Sequence, residues 1–212
     1  MLECNNIQQI YENIKMNQAY KLNFNKIGED VTIWEGAKII DAEKIEVGDS
    51  VIIDNFVLLM GGRSTVMGSF IHISSFTSIT GGGELVMEDF TTLSSGIRIF
   101  TGTDDFLGGS LVNSAVPHPY RLPIRTFVHI KKHAAVGANS VVLPSVTIGE
   151  GAVIGANSLV NKDCEPWTIY YGSPAKPMRS RPKEKIVELE AQLRQDLYDQ
   201  HGNYIPKRDR SL

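Results

Sequence analysis

The chain runs to 212 residues, 42% of them hydrophobic and 21% charged, which leaves room for one domain with a sizeable core and rules out wholesale disorder. A near balance of 21 basic and 24 acidic residues, net charge −3, gives no electrostatic ground for a general nucleic-acid binder, and no run of 18 apolar residues is present to span a membrane. The opening MLECNNIQQIYENIK lacks the basic head and apolar centre of a signal peptide, and two cysteines, Cys4 and Cys164, cannot make a disulfide framework, so a cytoplasmic setting is expected.

The first predicted element is a short amphipathic helix over 5–18, with Ile7, Ile10 and Ile14 on one face, inside an N-terminal helical segment of residues 1–22. From 23 to 181 another period takes over. Ile27, Val47, Met67 and Met87 lie 20 apart; six residues on from each stand Ile33, Ile53, Ile73 and Leu93, and six further Ile39, Leu59, Ile79 and Ile99. Later the spacing is a strict six, through Ile130, Val136, Val142, Ile148, Ile154 and Val160, with Gly137, Gly149 and Gly155 directly after three of them. A period of six suits neither an amphipathic helix nor a hairpin meander. It predicts an all-β solenoid: a three-sided coil of short parallel strands, apolar side chains inward on each face and small residues at the crowded corners.

One excursion breaks the coil. From Ile99 to Ile130 is 31 residues where six would suffice, and the surplus, over 101–126, is rich in Gly, Pro, Ser and Asp. A long loop thrown out of a compact repeat is usually functional. The interior of a coil is filled by side chains, so a small molecule needs a cleft made by such a loop against a neighbouring subunit. After Pro182 the stretch KEKIVELEAQLRQDLYDQHG carries Ile186, Leu189, Leu193 and Leu197 as one stripe, with Glu190 and Arg194 as an i,i+4 pair. Residues 182–212 are read as a C-terminal helix covering a flank of the coil, followed from Gly202 by a loose tail.

Residues 27–181 resemble the hexapeptide-repeat acyltransferases, most sharply in AAVGANSVVLPSVTIGEGAVIGANSLVNKDCEPWTIYYGSPAKPMRSR, from Ala134 to Arg181. The likeness is to the branch of maltose and galactoside acetyltransferases and of the sugar-nucleotide acetyltransferases of surface-polysaccharide and O-antigen synthesis. It implies a left-handed parallel β-helix, a homotrimer with active sites between subunits, and acetyl-coenzyme A as donor. It also implies that the pantetheine arm runs along the corner at Ala138 and Ala156, where a larger side chain would push it away. Lys162, in the turn where relatives carry Thr-Lys-Asp and this chain has Asn161, and Lys176 and Arg179, after Gly172-Ser173-Pro174, occupy basic positions suited to the phosphates of coenzyme A.

At the acceptor end the chain departs from the resemblance. Relatives that acetylate hydroxyls place a histidine just before the large loop; here the stretch Phe100-Thr101-Gly102-Thr103-Asp104-Asp105-Phe106 puts Asp104 there. A sugar hydroxyl is weakly acidic and needs a matched base, for which a carboxylate of ordinary pKa, ~4, is poor. A neutral amine is already nucleophilic, and a carboxylate can orient it and accept its proton. The expected reaction is therefore N-acetylation of a nucleotide-linked amino sugar through a tetrahedral intermediate whose oxyanion is held by backbone N–H groups, with Asp104 as first candidate. Asp105 and Arg121 are candidate substrate contacts, the arginine suiting a nucleotide diphosphate. Two alternatives stay open. One is O-acetylation with His118, set between Pro117 and Pro119, or His72, on a flat face, as base; the other is a non-catalytic or metal-binding β-helix. His129 and His133 have H-x-x-x-H spacing but lie in the coil with no following glutamate, so no metal site is expected. Ser74-Ser75 and Ser94-Ser95, 20 apart, are expected to stack on adjacent coils and either line the cleft or satisfy turns.

Overall fold

The computed structural model describes residues 17–210. Three parallel sheets form the sides of a prism. The first face holds Lys26–Ile27, Ile45–Val47, Ser64–Met67, Glu84–Met87, Phe127–Ile130 and Val146–Ile148. The second runs from Thr32–Ile33 through Ile52–Ile53, His72–Ile73, Thr92–Leu93, Ala135–Val136 and Val153–Ile154 to Thr168–Tyr171, and the third from Lys38–Ile40 through Leu58–Met60, Ser78–Thr80, Arg98–Phe100 and Val141–Val142 to Leu159–Val160. Successive strands on a face belong to successive coils, an arrangement consistent with a left-handed parallel β-helix.

The predicted columns are the observed ones. On the first face Ile27 pairs with Val47, then Met67, Met87, Ile130 and Ile148. Ile33 through Ile154 and Ile39 through Val160 stack in the same way on the other faces. Nearly all of these side chains are fully buried, so each coil caps the apolar surface of the one before it. A second inward set was not read from the sequence. Ile45, Thr65, Leu85, Val128 and Val146 on the first face, with Val31, Val51, Ile71 and Ala134 entering the second, are also buried. Two corners turn through a left-handed residue in most coils: Asp30, Ser50, Phe70, Phe90 and His133 at the first, and Phe56, Phe76, Gly96, Asn139 and Asn157 at the second. Such conformations are costly for most L-residues and persist because the coil above and below fixes them. Coil height also matches ring stacking, and Phe70 lies on Phe90 at 4.8 Å.

Most of the helix predicted over 5–18 lies outside the described residues. Of its last two positions, Asn17 bridges to Trp34 and Gln18 donates its backbone N–H to Ile33, so both already belong to the coil. The C-terminal helix, α1 (Glu184–Leu197), lies over the first corner. Its stripe is only partly apolar in contact: Ile186, Leu189 and Leu193 line a hollow with Phe90 and His133, and Leu189 stays half exposed. Ion pairs fasten it. Glu190 meets Lys132 at 2.7 Å, His133 at 2.8 Å and Arg194 at 2.6 Å, while Arg194 reaches Asp89 at 2.8 Å. Burial pushes the Glu190 carboxyl up, but the hydrogen bonds from Lys132, Arg194 and His133 outweigh it and hold the group at about 2. The tail expected to be loose is pinned instead, because Asp30 at the first corner accepts from the Tyr204 hydroxyl and the Lys207 N–H, and Arg208 pairs with Glu29. No helix among the described residues is long and apolar enough to cross a membrane.

Candidate active site

The excursion leaves the third corner and is closed at its base. Gly102–Thr103 pairs antiparallel with Ile124–Arg125, and Thr126 donates to the Thr101 carbonyl at 2.9 Å. The buried Thr101 hydroxyl ties this neck to the coil below, accepting from the Gly83 N–H and donating to the Thr80 carbonyl. A Cβ at Gly83 would collide with the Thr101 and Thr126 carbonyl oxygens, so only glycine lets the neck seat there. Asp104 is the first residue beyond the ladder and is mostly buried. Arg121, from the returning limb, meets its Oδ1 twice, through Nε at 2.8 Å and Nη2 at 2.6 Å. Arg121 is therefore engaged with Asp104 rather than presented openly to a diphosphate.

The other acceptor-side candidates fall apart. Asp105 turns into its own loop, its Oδ1 accepting from the Leu107 N–H at 2.9 Å. His118 is exposed on the outer limb of the excursion. His72 points outward from the second face and pairs with Asp54 at 3.2 Å. In a three-sided coil the second face is the one opposite the third corner, so within one protomer His72 and Asp104 cannot meet. His129 and His133 diverge, one to Glu88 and the other to Glu190. The Cys164 thiol is buried, and that burial, with Asp163 and Glu165 beside it, pushes it up to about 12, away from any nucleophilic role.

The donor-side candidates share the second corner and the upper end of the coil. The register that aligns Leu93, Val136 and Ile154 places Ser95, Ala138 and Ala156 in one row and Ser94, Gly137 and Gly155 in the next. Asn139 donates to the Ser95 carbonyl and Asn157 to that of Ala138, so these two rows form a rail of backbone whose own side chains are no larger than Cβ or a hydroxyl. Above it Ala175 donates to the Leu159 carbonyl, which brings the Lys176–Ser180 hairpin strand, with Lys176 and Arg179, to the same end as Lys162. All three cations are exposed, and among the described residues none enters an ion pair. A slim thioester arm and a phosphate-bearing nucleotide fit this rail and its basic end. The rail and Asp104 occupy different corners, at opposite ends of the strand Arg98–Phe100 that runs along the third face. The 20-residue serine repeat placed Ser94 on a stacked corner, lining the cleft or satisfying a turn, without showing that this corner carries Ala138 and Ala156.

Several known proteins share this fold. Residues 127–162 match the family of bacterial transferase hexapeptide repeats (six repeats). The chain is 36% identical over 175 residues, 82% of its length and 91% of the relative's, to the dTDP-4-amino-4,6-dideoxy-D-glucose acyltransferase of Escherichia coli. It superimposes with a TM-score of 0.78, at 36% identity and covering 83% of this chain and 93% of the other, on AntD, an N-acyltransferase from Bacillus cereus solved with dTDP and 3-hydroxybutyryl-CoA. AntD has also been solved as variants at one serine and at one aspartate ten residues further on, the separation of Ser94 and Asp104 here. A maltose O-acetyltransferase from Clostridium difficile shares the fold at 18% identity and a TM-score of 0.52. With its three stacked columns, its small-residue rail and a match across four-fifths of its length, the chain belongs to the hexapeptide-repeat acyltransferases.

Proposed function

We propose that this protein transfers an acyl group from acyl-coenzyme A, acetyl-coenzyme A in the first instance, to the amine of a dTDP-linked amino sugar. The observation that carries the reading is Asp104. It stands just past the neck of the excursion, where hydroxyl-acylating relatives are expected to carry a histidine, in a chain whose nearly full-length relatives act on a dTDP-amino sugar or bind dTDP and acyl-CoA. The amine nitrogen attacks the thioester carbonyl carbon, the new C–N bond replaces the C–S bond, and coenzyme A leaves as thiolate. Asp104 hydrogen-bonds the amine and takes up one of its protons, which passes to the departing sulfur. Ala138 and Ala156 flank the pantetheine arm, Ser94 lies at its reacting end, and Lys162, Lys176 and Arg179 take the coenzyme A phosphates.

A homotrimer with sites between subunits is part of the reading. The excursion carries Phe106 at 77% exposure and Leu107 at 99%, an apolar load that a neighbouring copy would cover. A neighbour would also let the rail of one protomer face Asp104 of the next, since the two stand at different corners within one protomer. The setting is cytoplasmic, in the synthesis of sugars for an O-antigen or similar surface polysaccharide. The test is a mass-spectrometric screen of dTDP-, UDP- and GDP-linked amino sugars and their hydroxyl analogues with acetyl-CoA and 3-hydroxybutyryl-CoA. An acyl mass gain on a dTDP-amino sugar and none on its hydroxyl analogue is expected; acylation of the hydroxyl analogue at an equal rate would overturn the reading.

A further inference from the structure

Asp104 and Arg121 sit 17 positions apart on the two limbs of the excursion, each just past the antiparallel neck that ends at Thr103 and Ile124. Their contact has an unusual stoichiometry. Both Nε and Nη2 of the guanidinium fall on the same carboxylate oxygen, Oδ1, and among the described residues no donor meets Oδ2. The pair is largely withdrawn from water, the arginine side chain at 17% exposure and the aspartate at 16%, so the contact is a charge-assisted one in a partly desolvated site rather than a loose surface pair.

We infer that Arg121 is the positioning residue for Asp104: it pins one carboxylate oxygen so that the other is presented, in a fixed direction, to the acceptor amine. The inference rests on the reading of Asp104 as the amine's partner. An aspartate at the start of a loop has two rotatable side-chain bonds, and its free oxygen sweeps through several positions unless something holds the other. Two donors of one planar guanidinium converging on that oxygen fix its position more tightly than the single rotating ammonium of a lysine would. The same geometry argues against a primary role in holding a diphosphate, since the Nε–Nη2 edge, the edge that meets a phosphate side-on, is already spent on Asp104. Arg121 also joins the outgoing and returning limbs beyond the neck, so the orientation of Asp104 and the closure of the loop are one event.

The test is a double-mutant cycle of R121A, D104A and R121A/D104A, with R121K beside it, in steady-state assays with a dTDP-amino sugar and acetyl-CoA and in titrations with dTDP. A misdirected base costs up to roughly 100-fold in rate. R121A is expected to lower kcat by about 10- to 100-fold while KM for the amino sugar and Kd for dTDP stay within about threefold. R121K is expected to recover part of the loss, and R121A to cost nothing further in the D104A background, because a residue that acts through another is silent once the other is gone. A rise of tenfold or more in KM or in the dTDP Kd with kcat preserved would make Arg121 a phosphate ligand and overturn the inference; so would losses that multiply across the cycle. If the unmodified protein acylates no nucleotide-linked amino sugar, the reading of the substrate has failed, and amide hydrogen exchange across 101–126 decides the inference alone. Exchange rising equally in R121A and D104A, with no further rise in the double variant, supports the pinning; unchanged exchange in R121A refutes it.

Discussion

Replacing Glu190 by glutamine removes the charge at the centre of the contact that fastens α1 to the first corner while keeping its size. The carboxyl ordinarily titrates near 4.5 and is held at about 2 in the folded chain by Lys132, Arg194 and His133. That difference of about 2.5 units corresponds to about 3 kcal/mol at roughly 1.4 kcal/mol per unit, and the side chain is only 10% exposed, so solvent screening removes little of it. The sign follows from the direction of the shift. A depressed folded-state pKa means the unfolded chain binds the proton more readily, so the stabilisation is complete above pH 4.5 and is lost as pH falls from there towards 2. Urea unfolding followed by tryptophan fluorescence, run on the natural chain and on Glu190→Gln from pH 7 to pH 2, reads it directly. The natural chain is expected to be more stable by about 3 kcal/mol at pH 7, with the gap closing between 4.5 and 2. A gap that stays constant across that range, or one under about 0.5 kcal/mol at pH 7, would refute the reasoning that ion pairs rather than the apolar stripe anchor the helix.

Ile73→Ala, at a fully buried position between Ile53 and Leu93, should cost about 2–5 kcal/mol in denaturant unfolding, since the coils on either side cannot collapse into the space; a cost below about 1 kcal/mol would mean the columns do not carry the core. Gly83→Ala should push the neck of the excursion off the coil, raising amide exchange over 101–126 and lowering acyl transfer at least about tenfold, and unchanged exchange would show that the Thr101 and Thr126 carbonyls can give way. His72→Ala and His118→Ala should each keep turnover within about threefold of the natural chain in steady-state assays with a dTDP-amino sugar and acetyl-CoA; a loss of about 100-fold in either would return the base to a histidine.

The columns were legible because their chemistry is periodic: twelve aliphatic or methionine residues recur at fixed steps, and each occupies the inward site the period assigns. The second inward set escaped notice because its buried positions include Thr65, Thr77 and Ser140, whose hydroxyls donate to a carbonyl of their own coil (Thr65) or of the next (Thr77, Ser140), so no hydropathy pattern marks them. The rail was legible at Ala138 and Ala156, where glycine precedes each, but Ser94 joins it only through the register between Leu93 and Val136, across the excursion. Outside the repeat the local Glu190–Arg194 pair was legible, but the long-range contacts were not. Arg121 finds Asp104 across a loop with no period, and Tyr204 finds Asp30 across 174 positions. Neither spacing is written in any local pattern; both depend on where two limbs or two ends of the chain come to rest.

The neck at Gly102–Thr103 and Ile124–Arg125 closes the excursion before the coil resumes, and the strands on either side pair as if nothing had been inserted, Met87 with Ile130 and Ile99 with Val142. A segment so isolated behaves as a cassette. Its length and composition should be able to drift without disturbing the stacking that holds the prism upright, because the strands before and after it already pair with each other.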